Sequence, residues 1–408
     1  HADRQQLIRI MPAKRGVMQQ DPTAASDVAV IGGGIIGLAI AWRAAQRGLS
    51  VCVLELGALG AGASHVAAGM LAPVTEADPG ELALLELGLR SARAWPAFAE
   101  ELAQAAGADP GLRHSGALVV ARDRDEAEAL ERELALRIEL GLDVQRLLPS
   151  AARRLEPALA PTVRLALDVP GDHSVDPRAV VLALAEAARR AGVTLRTGTS
   201  VERIAQRRGR TGRPGRIGRT GRVAGVVIAG GEVVRADRVV VAAGAWTGAI
   251  GGLPRIPLRP VKGQILRLRD PAGPGLLERI VRFEGGYLVP RGDGRYVLGA
   301  TMEERGFDTT VTAGGLYELL RDAGELVPGV HELVIEEMTA GLRPATPDNA
   351  PLLGPAAELD GLHWAAGHHR NGILLAPVSA DIVADGLEGV GPGVAPDFAA
   401  ARFAEVPA

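Results

Sequence analysis

The stretch Asp27-Val-Ala-Val-Ile-Gly-Gly-Gly-Ile-Ile-Gly-Leu-Ala-Ile-Ala-Trp42, followed by Val51-Cys-Val-Leu-Glu55, decides the fold. It reads as a buried strand, a glycine turn, a helix and a second buried strand ending in a carboxylate. Gly32, Gly34 and Gly37 keep a G-x-G-x-x-G spacing. The first permits a tight turn, the second lets a pyrophosphate reach the backbone, and the third lets helix and strand pack closely. Helix amides leaving such a turn lack intrahelical partners and sit at the positive end of the helix dipole, so they favour a phosphate. Glu55, 18 residues past Gly37, is placed to accept hydrogen bonds from a ribose diol. The stretch therefore predicts an adenine-dinucleotide site at the start of a parallel α/β sheet.

Working outward, the 408 residues exceed one ordinary core and predict two domains. A net charge of −3 gives no reason to expect nucleic acid or an anionic membrane as a partner. The longest apolar stretch, Val28 to Trp42, is broken by glycines and is shorter than the ~20 residues that span a bilayer. One cysteine, Cys52, leaves no disulfide framework within the chain and points to the cytoplasm. Lys14 and Lys262 are the only lysines, so Lys262 is the only one inside the expected fold. Residues 1–26 lack an apolar segment and a small-residue cleavage site, and are expected to be a disordered extension. Met11 and Met18 within them are both candidate starts.

A loop of small residues, Gly60 to Pro73, follows Glu55 and would let backbone amides approach a ligand. Helical periodicity is read over Glu81–Leu102, Asp125–Leu140 and Pro177–Ala191, and strands over 114–121, 193–196, 201–204, 223–228 and 238–244. The last of these is an apolar run ending in glycine, as in a parallel sheet buried on both faces. Residues 207–222 carry glycine at every third position between arginines. We read them as an expanded hairpin loop rather than an arginine–glycine arm for RNA. From Arg259 the pattern changes to alternating strands (264–269, 287–290, 296–301) with a hairpin turn at Arg291-Gly-Asp-Gly294. The chain then returns through 338–347 to a last strand at 362–367, and a terminal helix is expected near Ile373, with Pro377 in its first turns.

These blocks resemble the flavin-dependent D-amino-acid oxidase superfamily, most closely the glycine oxidases of thiamine biosynthesis. The resemblance rests on DVAVIGGGIIGLAIAWRAAQRG, GASHVAAGMLAP, PVKGQ, YLVPRGDGRYVLGATM, AGLRPATPDNAPLLG and AAGHHRNGILLAPVSADIV, which run from residue 27 to about 387. It implies a Rossmann-like FAD-binding domain (27–95, 170–252 and 338–408) interleaved with an antiparallel-sheet α+β substrate domain (96–169 and 253–337). It also implies FAD rather than NAD, held at Gly32, Gly34, Ile35, Ile36, Gly37, Glu55 and Leu56. The contacts continue at Ala63, Ser64, Ala68, Gly69, Met70 and Val201, and along His368, His369, Arg370, Asn371, Gly372, Ile373 and Leu374. Because Cys52 lies on the ribose-side strand, the flavin is expected to be non-covalent.

The substrate contacts implied by the resemblance are Tyr287, Met302, Arg343 and Arg370. A guanidinium presents a planar fork to both oxygens of a carboxylate, which suits Arg343. Tyr287 can add a phenolic hydrogen bond, and Met302 can shape the wall. Arg370 either faces the carboxylate or supports its own turn. Glycine oxidases often carry an aromatic ring where His369 stands. Adjacent histidines without a third ligand do not make a metal site, so His368 and His369 are read as flavin-lining. No acid–base residue is assigned, because a substrate bound with a neutral amine needs only positioning. The expected reaction is oxidation of glycine by O2 to the imine and H2O2, feeding thiazole synthesis. The alternatives are a broader D-amino-acid or sarcosine oxidase, a dehydrogenase using a quinone, and, more distantly, an RNA-modifying flavoprotein. Homo-oligomerisation is left open.

Overall fold

The computed structural model describes residues 25–207, 221–390 and 393–403. The body of the expected N-terminal extension and of the Arg/Gly-rich loop lies outside the described residues. Strand β1 (Ser26–Ile31) leads through Gly32–Gly34 into α1 (Ile35–Gln46), and β2 (Val51–Leu54) lies parallel beside β1. The small-residue loop contains α2 (Ala63–Val66) and β3 (Met70–Leu71). Helix α3 (Leu82–Ala106) follows and ends at Gly107, whose φ of 71° a side chain would disfavour. Next come β4 (Ala117–Ala121), α4 (Arg124–Glu139), β5 (Gln145–Leu147), α5 (Pro149–Leu155) and β6 (Leu165–Val169). Strand β7 (His173–Ser174) precedes α6 (Pro177–Arg190), which Asp176 caps by accepting from Arg178 N at 3.0 Å.

Four strands then run in succession: β8 (Thr194–Arg196), β9 (Val201–Arg207), β10 (Gly221–Ile228) and β11 (Val233–Val241). After them lie β12 (Arg259–Arg269), β13 (Ile280–Phe283), β14 (Gly286–Pro290), β15 (Arg295–Gly299) and α7 (Ala313–Leu326). The chain closes with β16 (Val334–Ala345), β17 (Leu352–Pro355), β18 (Leu359–Asp360), β19 (Leu362–Ala366) and α8 (Ala376–Glu388).

Two large sheets result. One has nine strands with a spine ordered β17-β19-β11-β1-β2-β8, parallel from β19 to β8. The other has eight strands ordered β16-β12-β15-β14-β13-β4-β6-β5, antiparallel except where β13 runs parallel to β4. This is the α/β fold with an interleaved antiparallel sheet that the sequence implied. Helix α1 is buried from Ile35 to Trp42 and lies against α6 and α8. The Phe98 ring of α3 meets Trp42 edge-on at 5.6 Å and Trp95 at 5.4 Å.

Several elements differ from the reading. The strand expected from Arg238 begins at Val233, because its first half pairs antiparallel with β10 before Ala236–Val241 join β1. The expected domain break at 95/96 falls inside α3, whose Trp95 and Phe98 share one core. That at 337/338 falls inside β16, which pairs with β12 from Val334 to Ala345. The terminal helix starts at Ala376 rather than near Ile373. Pro377 has no amide to give the carbonyl of Ile373, and the ladder resumes with Ser379 N to Leu375 O at 2.9 Å. Helix α7 went unread, since Gly314 and Gly315 interrupt its pattern.

Candidate active site

The glycine turn is built by close backbone approach. Gly32 has φ 107°, and a Cβ there would lie 2.3 Å from the carbonyl oxygen of Ala242 at the end of β11. A Cβ on Gly37 would lie 2.0 Å from the Gly32 carbonyl, so α1 can touch the turn only without a side chain. Ser64 Oγ accepts from Ile35 N at 3.0 Å, and Glu55 accepts from Gly33 N at 2.7 Å and Gly57 N at 2.8 Å. The small-residue loop and the β2 carboxylate therefore close around the start of α1.

A cavity of about 1540 Å³ opens above these strand ends. Gly32, Gly34, Ile35, Ile36, Glu55 and Leu56 line it, as do Ala63, Ser64, Ala68, Gly69, Met70 and Val201. The run His368, His369, Arg370, Asn371, Gly372, Ile373 and Leu374 forms another wall. Gly37 alone among the expected cofactor residues does not line the cavity; it packs beneath the turn instead. The C-terminal wall is tied down from a distance: the Leu374 carbonyl accepts from Ser91 Oγ at 2.7 Å and Trp95 Nε1 at 2.8 Å. His368 is buried, its Nε2 lies 3.0 Å from Ser379 Oγ, and burial pushes its pKa down to about 3. A turn without side chains, a carboxylate at the second strand end and a cavity of about 1540 Å³ that runs between that turn and the His368–Leu374 wall fit an FAD.

Tyr287, Met302, Arg343 and Arg370 line the same cavity. They differ in how their polar atoms are used. Arg343 stands on β16 opposite Val261, and its Nη1 donates only to the carbonyls of Thr301 at 3.1 Å and Lys262 at 3.3 Å. Among the described residues no carboxylate pairs with it. Burial raises the Tyr287 phenol above its ordinary range, and the adjacent Arg343 guanidinium pulls the other way. Met302 is 63% exposed, so it forms a solvent-facing part of the wall rather than core. Arg370 is committed elsewhere: its Nε meets Glu76 at 2.8 Å and its Nη2 meets Glu81 at 2.9 Å. Of the two roles read for Arg370, the geometry favours support of the turn.

Sequence reasoning missed the residues that aim these groups. Gly263 on β12 lies under the Arg343 guanidinium, and a Cβ there would come within 2.4 Å of Nη1 and 2.6 Å of Cζ. The buried Arg291 donates to Ala68 O at 2.6 Å and Val175 O at 3.0 Å, joining the hairpin turn to the small-residue loop. Asp172 accepts from Val74 N at 3.1 Å and Thr75 N at 2.8 Å, which fixes the segment carrying Glu76. Gly263 and Arg291 were visible only as parts of the PVKGQ and YLVPRGDGRYVLGATM motifs, and nothing in the sequence marked Asp172. Among the described residues, no group of three or more His, Cys, Asp or Glu is arranged to hold a metal ion. Nor is any helix there long and apolar enough to cross a membrane.

Comparison with known proteins agrees with this geometry. Residues 27–386 match the model of the FAD dependent oxidoreductase family. The chain is 38% identical to the glycine oxidase of Geobacillus kaustophilus (strain HTA426) over 365 residues, covering 89% of this chain and 93% of that protein. It is also 38% identical to the bifunctional protein ThiO/ThiG of Synechocystis sp. (strain ATCC 27184 / PCC 6803 / Kazusa), covering 88% of this chain and 51% of that protein. The crystal structure of the glycine oxidase from Geobacillus kaustophilus superposes with a TM-score of 0.82 at 37% identity, covering 93% of this chain and 99% of that one.

Proposed function

The chain belongs to the FAD dependent oxidoreductase family, and on that premise we propose that it oxidises glycine, with sarcosine and small D-amino acids as further substrates. It is an FAD-dependent amino-acid oxidase. The observation that carries the choice of substrate is Arg343, a cavity guanidinium held by two backbone carbonyls and the Tyr287 phenol, with no carboxylate partner among the described residues. Its remaining donors can hold a carboxylate as a charge-assisted fork. With that group fixed, the α-carbon of a small amino acid is held within the cavity, and the surrounding wall limits its rotation.

FAD, when bound, would supply the two-electron acceptor for the α-hydride, with O2 as the terminal oxidant and H2O2 as its product. The chain's own part is orientation. Arg343 and Tyr287 hold the carboxylate, and Met302 bounds the space left for a side chain. The histidines at the C-terminal wall stay neutral near pH 7, and the charged Arg370 beside them is taken up by Glu76 and Glu81. The substrate then reacts from its neutral-amine form, its ammonium proton having passed to solvent, and leaves as the iminium, which gives up a proton to water to become the imine. That this imine feeds thiazole assembly for thiamine rests on the sequence resemblance and on the similarity to the bifunctional protein ThiO/ThiG.

Steady-state rates on glycine, sarcosine, D-alanine, D-phenylalanine and L-alanine, read by coupled peroxide detection, test this. Glycine and the small D-amino acids should turn over and L-alanine should not. A strong preference for D-phenylalanine over glycine would make the chain a general D-amino-acid oxidase instead. In the same assay Arg343→Ala should lose about 100-fold or more in kcat/KM for glycine while retaining flavin.

A further inference from the structure

His369 stands on the cavity wall with both ring nitrogens left unpaired by the described residues. It is 8% exposed. Its φ of 47° is rare for a residue with a side chain. Burial pushes its pKa down to about 3, and the guanidinium groups of Arg370, Arg343 and Arg259 act in the same direction. A neutral imidazole carries one N–H donor and one lone pair, and no described residue takes up either.

The position of the ring says what would use it. Ala345, two residues beyond Arg343 on β16, bridges to His368, so the turn carrying His369 is fastened beside the carboxylate anchor. Arg370 is neutralised by Glu76 and Glu81, but Arg343 has no acid of its own. The surroundings are therefore positive, which favours an oxygen acceptor over a second cation.

We propose that His369 is a specificity-determining residue whose imidazole hydrogen-bonds an oxygen on the substrate's side chain, so that the site prefers small amino acids bearing a β-hydroxyl to their apolar counterparts. The proposal rests on the carboxylate reading of Arg343 given above. A site built around a hydrogen bond rejects the analogue that lacks it, because its own buried polar atom is then left unpaired.

D-serine and D-alanine differ by one oxygen and make the test. Holoenzyme should show a kcat/KM ratio of D-serine to D-alanine of at least about 10. In His369→Phe that ratio should fall to about 1, and reading the ratio cancels any general loss of rate. A wild-type ratio near 1, or one unchanged in the variant, overturns the proposal. If His369→Phe yields no soluble holoenzyme, His369→Ala carries the same comparison.

A second readout separates this inference from the choice of reaction. Propanoate and 3-hydroxypropanoate have no amine to oxidise, and their binding can be followed by perturbation of the flavin absorbance. Tighter binding of 3-hydroxypropanoate by about 10-fold, lost in the variant, supports the role of His369 even if none of the amino acids turns over. Equal binding of the two acids by the wild type overturns it even if glycine is a good substrate.

Discussion

Replacing Gly263 by alanine should disable the site without changing the identity of any residue that contacts substrate. The added Cβ would lie 2.4 Å from Arg343 Nη1, 2.5 Å from Nη2 and 2.6 Å from Cζ, where ordinary contact begins at 3.4 Å. The guanidinium must therefore move by about 1 Å, a displacement of the size that costs about 100-fold when a positioning group is misplaced. That is about 2.7 kcal/mol of transition-state stabilisation. Little opposes the movement, since only the carbonyls of Thr301 and Lys262 hold Nη1. Global stability should accordingly change far less than activity. The assay is peroxide release from glycine, with acetate binding followed through the flavin spectrum. Gly263→Ala should lose about 100-fold in kcat/KM and bind acetate weakly. The double variant with Arg343→Ala should be no worse than Arg343→Ala alone, because both changes act through one group. A Gly263→Ala enzyme with normal kcat/KM, or losses that add in the double variant, would refute the reasoning.

The other predictions concern the frame around the site. Burial raises the pKa of Asp172 to about 6, against 3.8 for an unperturbed carboxyl. Its contribution to stability is thus fully present below pH ~4 and lost as pH rises through about 6, a change of about 3 kcal/mol. Urea unfolding of the holoenzyme should show Asp172→Asn gaining on the wild type by roughly that amount between pH 4 and pH 7; a constant difference would remove the argument. Trp95→Phe or Ser91→Ala alone should cost about 1 kcal/mol each beyond lost packing, since the Leu374 carbonyl keeps one donor. The double variant leaves that buried acceptor bare and should cost more than the two together, with faster flavin loss on gel filtration; simple additivity would count against it. Cys52 is buried in β2 with its thiol pushed up to about 11, so acid precipitation should release all flavin into the supernatant. Colour retained in the washed pellet would show a covalent link.

The dinucleotide half of the fold was legible because its signals are local. Strand, glycine turn, helix and Glu55 lie within one stretch of 29 residues, from Asp27 to Glu55, and each has a backbone reason that the structure shows. The antiparallel half was harder to read. Strand β16 pairs with β12 across about 80 residues, and its Val334, Ile335 and Met338 face solvent on an edge, so no alternating pattern announced it. In the site, Arg343 and Tyr287 could be found through motifs. What aims them could not. Gly263, the acids that occupy Arg370, and the donors to Leu374 each act on a partner 80 or more residues away. A single sequence does not state which loop will meet which strand.

The double anchoring of Leu374 also orders events during synthesis. Trp95 precedes its acceptor by 279 residues, and β1 waits for β11, which in turn waits for β19, as sheet neighbour. At about 5–20 residues per second, a ribosome needs on the order of tens of seconds to cover that interval. The hairpins from β12 to β15 emerge within it and can pair locally, whereas α3 has no α8 to pack against until the last segment is made. Flavin capture is thus the closing step of the chain's birth. A chain that ends between α3 and Leu374 has its glycine turn but lacks the wall from His368 to Leu374 that the donors on α3 tie down.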